Sequence, residues 1–481
     1  MPHAGLVVVL PSDPQSLDPR FGTDANSARL ADLLHVALTR PGSDGRRVPA
    51  LAARWEVPDP RTFVFHLRTD FRFPDGSPVT ATDVRATYEA VLDPTIASPR
   101  RGALAVLSAI ETPDDATVVL HTREPFTALL DATGLGVLPA ARARDQTEVA
   151  IGAGPFRLVE AVRGERIVLR PNPGFPGGPP RIDPLVVRIV PDEVVRVLEL
   201  RRGGAGLLED APEPEVLEWL RRDPALRVTR VPGTSFAYLA LNLRDPRLAQ
   251  RRVRQAIALA LDRRALVRFV LGGAARPASG LLAPEHWAYA PAPIPPHDVR
   301  RARRLLDRAG FRDPDGPGPR PRFRLVYKTS TDVARRRLAE AIQAALAEVG
   351  IAVEIRSYEW GTLYADVRRG NFQLSALTWV GVGDPDLYYL TFHSTMRPPA
   401  GYNRGGYASG VMDRLTTEGR RTLDPERRRA VYARIQRRAA HDLPVVPLWW
   451  EDRIVVATRR LSGFVPAADG ALDSLARASL D

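Results

Sequence analysis

The chain has 481 residues, more than one hydrophobic core usually organises, so its length predicts two or three domains. Its composition, 44% hydrophobic and 26% charged, excludes a disordered chain, and the lack of any run of 18 apolar residues predicts no membrane-spanning helix. The net charge of +12 comes from arginines spread along the chain, with Lys328 as the single lysine, so we expect a solvated basic surface and no nucleic-acid partner.

The first part of the chain predicts short strands and one capped helix. Residues 6–10, LVVVL, predict a buried strand, and this short apolar run without a preceding basic segment is not typical of a signal peptide. We therefore expect either a cytosolic protein or an export signal that lies outside this sequence. Residues 63–67 carry a large apolar side chain at every second position, which predicts a strand. Thr80 followed by Asp83 predicts a capping box that opens a helix ending near Leu92.

The rest of the chain predicts longer α/β units. Residues 251–271 have apolar side chains at helical spacing and predict one helix. Residues 323–358 predict a strand, a helix stopped by a glycine and a second strand, a crossover that implies parallel strands. A helix over 360–369 then leads to a strand over 372–379. Shorter patterns predict strands at 117–121, 156–161, 166–171 and 183–192, and a helix at 193–202.

The stretch LTWVGVGDPDLYYL, residues 377–390, follows the end of a predicted strand and is the first candidate for a functional site. Ligands in open α/β sheets bind beyond the carboxyl ends of strands. Asp384 and Asp386 among aromatic residues are compatible with a metal site, an acid/base pair or the edge of a ligand pocket.

Metal and catalytic sites find little support in the sequence. Cysteine is absent, which excludes disulfides, cysteine–zinc sites and thiol catalysis. The eight histidines form no HxxxH or HExxH pair, and Asp384, Asp386 and His393 match no strong metal template. No Gly-x-Ser-x-Gly motif occurs. We therefore expect no metal, no cofactor and no catalytic residues.

Aromatic residues are the remaining signal for a site. Trp449 and Trp450 are consecutive on a predicted strand, so their side chains point to opposite faces. We expect at least one of them to face away from the core that buries the other. Binding pockets are mostly apolar and aromatic with few polar groups, so a ligand-binding cleft fits these residues best.

The order of segments resembles the extracytoplasmic solute-binding proteins of the peptide/nickel class, which deliver cargo to ABC importers. The resemblance covers nearly the whole chain. It depends on these motifs: SLDPR (16–20), VPALAARWEVPDPRTFVFHLRTDFRFPDGSPVTATDV (48–84), GAGPFRL (152–158), LALNLRDP with RRVRQAIALALDR (239–263), and LPVVPLWW (443–450).

The resemblance implies an α/β, two-lobed periplasmic-binding-protein fold with a hinge and a small α+β domain inserted in the first lobe. The implied first lobe combines residues 1–38, 152–232 and 448–481. The insertion covers residues 39–151, and the second lobe covers residues 233–447. The implied hinge crossings place Phe236, Tyr238, Trp449 and Trp450 beside the cleft.

In peptide-binding members, an aspartate soon after the tryptophan of the 377–390 loop anchors the α-ammonium group of the ligand. The position that aligns with it here is Val382, and the basic residue that some members place three before the tryptophan is Ala376. Both departures weaken a peptide interpretation. Asp384 and Asp386 remain alternatives for the charge role, although Asp384-Pro385 also fits a turn. The full set of predicted ligand-binding residues is Thr23, Asp24, Phe236, Tyr238, Trp379, Val382, Asp384, Asp386, Tyr388, Asn403, Arg404, Trp449, Trp450 and Glu451.

The implied function is non-catalytic capture of a solute, an oligopeptide or related small polar molecule, in the inter-lobe cleft. The implied partners are the permease subunits of an ABC importer. The implied location is the periplasm or the outer face of the cytoplasmic membrane, and we expect a monomer. The alternatives are a sensor or regulatory ligand-binding module and a hydrolase on the same scaffold.

Overall fold

The computed structural model describes residues 5–209, 213–316 and 318–481, and these form two compact units. Unit 1 contains Met1–Val231 and Arg453–Asp481, and unit 2 contains Pro232–Asp452. The predicted first and second lobes meet between residues 232 and 233 and again between residues 447 and 448. Residues 1–4 and 210–212 of the predicted first lobe and residue 317 of the second lie outside the described residues. The inserted domain over residues 39–151 stays a prediction.

The elements up to residue 225 belong to unit 1. The strands are β1 (Leu6–Leu10), β2 (Thr39–Pro41), β3 (Arg47–Pro49), β4 (Ala52–Asp59), β5 (Thr62–Leu67), β6 (Leu107–Asp114), β7 (Thr117–Thr122), β8 (Phe156–Val162), β9 (Arg166–Pro171), β10 (Leu185–Ile189) and β11 (Leu207–Leu208). The helices are α1 (Ala25–Leu34), α2 (Ala81–Leu92), α3 (Arg101–Leu104), α4 (Leu129–Ala132), α5 (Glu193–Arg201) and α6 (Pro214–Arg221).

Strands β12 and β17 cross the boundaries between the units. The elements between them belong to unit 2, and β18, β19 and the 3₁₀ helix after β17 belong to unit 1. The strands are β12 (Leu226–Leu241), β13 (Ala275–Pro277), β14 (Phe323–Ser330), β15 (Ile351–Tyr358), β16 (Leu374–Trp379), β17 (Val445–Thr458), β18 (Leu461–Ser462) and β19 (Ser479–Leu480). The helices are α7 (Pro246–Ala249), α8 (Arg251–Ala260), α9 (Arg263–Val270), α10 (Val299–Arg308), α11 (Val333–Ala347), α12 (Trp360–Arg369), α13 (Leu387–Phe392), α14 (Gly410–Arg421) and α15 (Pro425–Asp442), and a 3₁₀ helix covers Asp473–Arg477.

The main sheet of unit 1 is built around β1, whose five residues are all buried as the sequence predicts. Strand β1 lies parallel to β10 and β11, and β9 and β8 continue the sheet beyond β10 in antiparallel order. Leu30 and Leu33 of α1 pack into the same core as Leu6 and Val8. A strand buried on both faces explains the continuous LVVVL run.

A second, four-stranded antiparallel sheet of unit 1 has the order β4-β5-β7-β6. Phe63 and Phe65 are fully buried on one face of β5, which confirms the predicted alternation. The predicted capping box is also present, because the Thr80 N–H donates to the Asp83 carboxylate at 2.8 Å and helix α2 starts at the next residue. The strand preference of alternating aromatic residues and the capping preference of Thr80 and Asp83 are therefore sufficient to predict β5 and the start of α2.

The sheet of unit 2 has the order β15-β14-β16-β12-β17, with β13 paired to β17. Strands β14 and β15 run parallel through eight residue pairs with α11 between them, which confirms the predicted crossover. Strand β16 lies parallel to β14 and antiparallel to β12. The carboxyl end of β16 therefore brings Trp379 opposite Phe236 of β12.

The prediction of one helix over residues 251–271 is wrong. The chain forms α8 and α9 as separate helices, because the Asp262 side chain accepts from the Ala265 N–H at 3.0 Å and starts a new helix. Aspartate is a preferred N-cap residue. The apolar spacing continues through the break because both helices bury apolar residues at helical spacing.

The expectation that one of Trp449 and Trp450 faces away from the core that buries the other is confirmed. Their side chains point to opposite faces, and Trp449 is 2% and Trp450 3% exposed, in two different core clusters of unit 2. The Trp450 Nε1–H donates to the Gly280 carbonyl at 3.0 Å. The sheet of unit 2 carries a packed layer on each face, so a strand inside it buries consecutive side chains.

Candidate functional site

A stack of aromatic rings lies along β12 and β16 in unit 2. Phe236 and Tyr238, two residues apart on β12, stack with centroids 5.6 Å apart and planes 8° apart. Tyr238 in turn stacks on Trp379 at 6.5 Å and 13°. Phe236 and Tyr238 are buried and Trp379 is half-buried, so the stack leads from the core to a partly exposed indole. Same-face positions on neighbouring antiparallel strands explain this arrangement.

Arg404 lies against the exposed end of this stack and is 8% exposed. Its guanidinium donates to the hydroxyl oxygens of Tyr238 at 3.1 Å and Tyr364 at 3.2 Å. It also lies 5.0 Å from the ring centroid of Trp379 and 5.7 Å from that of Tyr402. We call these five residues the Arg404 cluster. Its combination of aromatic faces and one cation suits binding of a small organic molecule.

The charge of Arg404 acts on Tyr238. Burial raises the pKa of the Tyr238 phenol, and the adjacent guanidinium opposes that increase. The net direction is upward, so Tyr238 stays neutral at physiological pH and its oxygen remains an acceptor for Arg404. The cluster therefore carries the positive charge of Arg404 without a compensating phenolate.

The backbone around Arg404 is fixed by Asn403, whose side chain makes three hydrogen bonds. Its Nδ2–H groups donate to the carbonyls of Tyr407 at 2.7 Å and His393 at 3.1 Å, and its Oδ1 accepts from the Tyr407 N–H at 2.9 Å. Asn403 is only 2% exposed. The Asn403 amide therefore holds the backbone next to Arg404, and a contact of Asn403 with a ligand stays a prediction.

The 377–390 loop has its carboxylates neutralised within unit 2. Asp384 accepts from Arg428 at 2.7 and 3.1 Å, and Asp386 accepts from Arg420 at 2.6 and 3.0 Å. Asp384 Oδ1 also accepts from the Asp386 N–H at 2.7 Å, as an aspartate that starts a turn does. Both carboxylates therefore have arginine partners within unit 2, which supports the turn interpretation of Asp384, and a charge role toward a ligand stays a prediction.

Burial raises the pKa of Asp386, while the hydrogen bonds and charge of Arg420 oppose that increase. Two other predicted residues of this loop are core residues. Val382 is 6% exposed, and Tyr388 is fully buried, with its hydroxyl oxygen accepting from the Leu281 N–H at 3.3 Å. The apolar environment that packs this loop explains why its acids need arginine partners.

The remaining predicted residues have other partners within their own units. In unit 1, Asp24 is the N-cap of α1 and accepts from the Asn26 and Ser27 N–H groups. Thr23 is exposed and its hydroxyl donates to Gln15 at 2.8 Å. In unit 2, Glu451 is half-buried and accepts from the Thr378 hydroxyl at 3.5 Å. The structure gives Asp24 a helix-capping role.

Sequence reasoning missed Tyr364, which lies on α12 and contacts Arg404 through its hydroxyl oxygen. Tyr364 stacks on Trp360 one helical turn earlier, with ring centroids 5.7 Å apart. The available signal was this i, i+4 aromatic pair on a short helix just before β16. Tyr402 is also absent from the predicted set of ligand-binding residues.

Within the described ranges, no three histidine or acidic side chains are grouped so that they could hold a metal ion. His393, the nitrogen ligand considered with Asp384 and Asp386, has its ring Nδ1 2.8 Å from the Thr395 hydroxyl. Among the helices that the structure describes, none has the length and apolar character needed to cross a membrane.

Comparison with known sequences identifies the family. The profile of the bacterial extracellular solute-binding proteins, family 5 (middle region), matches residues 46–398. The chain belongs to this family. The resemblance predicted from the sequence motifs is thereby confirmed, and the family's own description is that of proteins that bind solutes outside the cell.

Individual known proteins resemble this chain over almost its whole length. Protein XP55 of Streptomyces lividans is 30% identical over 97% of this chain and 87% of that protein. The probable di/tripeptide-binding protein 5 of Pseudomonas aeruginosa is 29% identical over 96% of this chain and 93% of that protein. The ABC transporter-associated periplasmic binding protein DppA of Helicobacter pylori, solved with the peptide STSA, has a TM-score of 0.82 at 25% identity and covers 99% of this chain and 98% of its own. The mixed α/β periplasmic-binding-protein fold is thus confirmed.

Proposed function

We propose that this protein is the solute receptor of an ABC importer and that the Arg404 cluster forms part of its solute site. Relatives named for di- and tripeptides, and one solved with a bound peptide, make short peptides the first solutes to test. Val382 and Ala376 lack the charges expected for a peptide anchor. Other small polar molecules should therefore be tested as well.

The observation that carries this proposal is the aromatic stack that ends in a half-buried indole beside a buried cation. A tryptophan face, two tyrosine hydroxyls and a guanidinium offer apolar area together with oriented donors. Trp379 lies at the carboxyl end of β16, the end of a strand at which α/β proteins collect ligands. Rings and donors held by a packed sheet are suited to recognition.

Solute capture requires no chemical step. We propose that the protein releases its solute unchanged, in agreement with family 5 membership. A hydrolase on the same scaffold would convert the solute, and a sensor would bind it without handing it to a permease. Closure of the two predicted lobes upon binding remains part of the proposal, and scattering curves recorded with and without solute test it.

The cellular location, the oligomeric state and the partners of the protein belong to the same proposal. Family 5 proteins are extracellular by description, and we propose the periplasm or the outer face of the cytoplasmic membrane for this member. We further propose that it acts as a monomer and meets the permease subunits of the importer directly. Light scattering of the purified protein tests the monomer.

The central experiment is native mass spectrometry of gently purified protein, followed by calorimetry with the co-purified molecule. We expect Trp379→Ala to weaken binding by about 1–3 kcal/mol, the scale of a lost aromatic contact. The matched control is Trp219→Ala, which removes a 43% exposed indole from α6 in unit 1. Equal affinities in the wild type and Trp379→Ala would remove the cluster from the site, and conversion of the solute would favour the hydrolase.

A further inference from the structure

Arg404 differs from the other buried arginines of the described chain in what neutralises it. Arg20, Arg29 and Arg428 form ion pairs with Asp18, Glu209 and Asp384. Arg196 and Arg254 donate to main-chain carbonyls. Arg404 has neither kind of partner among the described residues, and its side-chain acceptors there are the two tyrosine hydroxyls.

The hydrogen-bonding capacity of Arg404 is therefore only partly used. A guanidinium has five N–H donors arranged as a planar fork. Two of them reach Tyr238 and Tyr364, and within the described residues the other three have no hydrogen-bonded acceptor. The faces of Trp379 and Tyr402 compensate part of the charge through cation–π attraction, which does not saturate the N–H groups.

A buried cation without a carboxylate is costly unless another group supplies the missing charge. The adjacent 377–390 loop does not supply it, because Asp384 and Asp386 are bound to Arg428 and Arg420. The same pairing means that a ligand ammonium group finds no unpaired carboxylate on this loop. The local field therefore favours a negative group on the solute.

Tyr402 is the exposed member of the Arg404 cluster. Tyr402 is 41% exposed, and its ring meets Trp379 edge-on with centroids 5.0 Å apart. We expect rotation of this exposed side chain to give a solute access to the guanidinium. The partly exposed ring of Trp379 then offers an apolar surface next to the donors.

We propose that the solute carries a carboxylate-type oxyanion that binds the free donors of Arg404, next to a flat or apolar group that packs on Trp379. This inference rests on the proposed function and specifies the chemical class of its solute. A planar fork suits two-point binding of a carboxylate, which a lysine at this position would not reproduce. A peptide carboxyl terminus and a non-peptide organic acid share this chemistry.

The test compares acids with their uncharged amides by calorimetry on the full chain. The peptide probes are Ala-Ala-Phe and Ala-Ala-Phe-amide, and the non-peptide probes are hippurate and hippuramide. We expect at least one acid to bind roughly 10- to 100-fold more tightly than its amide, as charge-assisted hydrogen bonds predict. Whether the peptide or the hippurate pair shows the difference distinguishes the two sources of the carboxylate.

Variants then assign the preference to Arg404. Arg404→Gln should reduce the acid-to-amide ratio to near one, and Arg404→Lys should retain an intermediate ratio. Arg356→Gln is the matched control, because it removes an exposed positive charge of unit 2 that pairs with Glu354 on β15, and its ratio should equal that of the wild type. The ratio reports on the charge contact even if a variant lowers the melting temperature, since both probes meet the same protein.

The outcomes separate this inference from the proposed function. If the amides bind as tightly as the acids, or if Arg404→Gln keeps the wild-type ratio, the inference is wrong while solute binding through Trp379 stands. If the acids bind but Trp379→Ala leaves their affinity unchanged, the proposed site is wrong. If no probe binds at millimolar concentration, the result counts against both.

Discussion

Replacement of Arg428 by methionine should destabilise unit 2 strongly, because it leaves a largely buried carboxylate without its cation. The Arg428 and Asp384 side chains are 7% and 16% exposed, and two hydrogen bonds of 2.7 and 3.1 Å join them. Methionine keeps most of the apolar volume near Trp287 and Tyr432. The perturbation is therefore mainly the loss of charge.

The expected magnitude follows from the burial of the pair. Removal of one partner from a buried ion pair typically costs about 3–5 kcal/mol. Because Asp384 keeps some contact with water and accepts from the Asp386 N–H, we expect Arg428→Met to cost about 3 kcal/mol. The double variant with Asp384→Asn should be more stable than Arg428→Met, with a coupling energy of about 1–3 kcal/mol.

Urea unfolding followed by tryptophan fluorescence is the appropriate assay. Unit 2 holds five of the seven tryptophans, at positions 287, 360, 379, 449 and 450, so fluorescence reports mainly on this unit. Circular dichroism recorded in parallel shows whether the two units unfold together, which decides whether one free energy describes the transition. The four proteins of the cycle are the wild type, the two single variants and the double variant.

The reasoning would be refuted by a cost below about 1 kcal/mol for Arg428→Met or by additive single variants within about 0.5 kcal/mol. Either result would mean that Asp384 is not held by Arg428 in solution. The carboxylate would then be available to a ligand, and the anionic-solute inference would lose one of its supports.

Two further substitutions test an ion pair and a close backbone contact elsewhere in the chain. Asp366 is bonded to the only lysine at 2.7 Å, and its pKa is lowered to about 2, first by the hydrogen bond from Lys328 and further by those from Arg369 and Asn371. The Lys328 contact therefore stabilises the fold above about pH 4 and is lost as the pH falls toward 2. Lys328→Met should therefore lower stability at pH 7 by roughly 1–2 kcal/mol after solvent screening, and the gap from the wild type should narrow in an acid titration; a gap that is constant with pH would contradict this. Gly154→Ala should lower the melting temperature by several degrees because its Cβ would lie 2.5 Å from the carbonyl carbon of Leu34, whereas the control Gly102→Ala, with open space around its Cβ, should melt like the wild type. Equal melting temperatures of the two alanine variants would show that the backbone contact is not maintained.

Local patterns in the sequence were sufficient to predict many of the elements. The Thr80–Asp83 capping box and the strand–helix–strand unit over residues 323–358 depend on interactions within a few residues or on one regular period. The break at Asp262 was missed for the same reason, since the apolar period continues through it. A helix-capping residue is easy to overlook when the apolar spacing on both sides of it is that of one continuous helix.

The candidate site was only partly predictable. Tyr238, Trp379 and Arg404 were expected near a ligand, and they contact one another in unit 2. Tyr364 was missed because nothing in its helix shows that it reaches an arginine 40 residues later. Trp449 and Trp450 were both expected beside the cleft, but both are buried because the sheet has a packed layer on each face.

The sequence by itself determined many of the strands and helices, the family and the aromatic character of the candidate site, because these depend on residue type and short-range spacing. Only the tertiary structure decided which charged side chains are neutralised by other side chains of the protein. Asp384 and Asp386 are neutralised by arginines 44 and 34 residues away, and Arg404 has no carboxylate among the described residues. Pairing of charges is set by three-dimensional distance and burial, which no local pattern encodes.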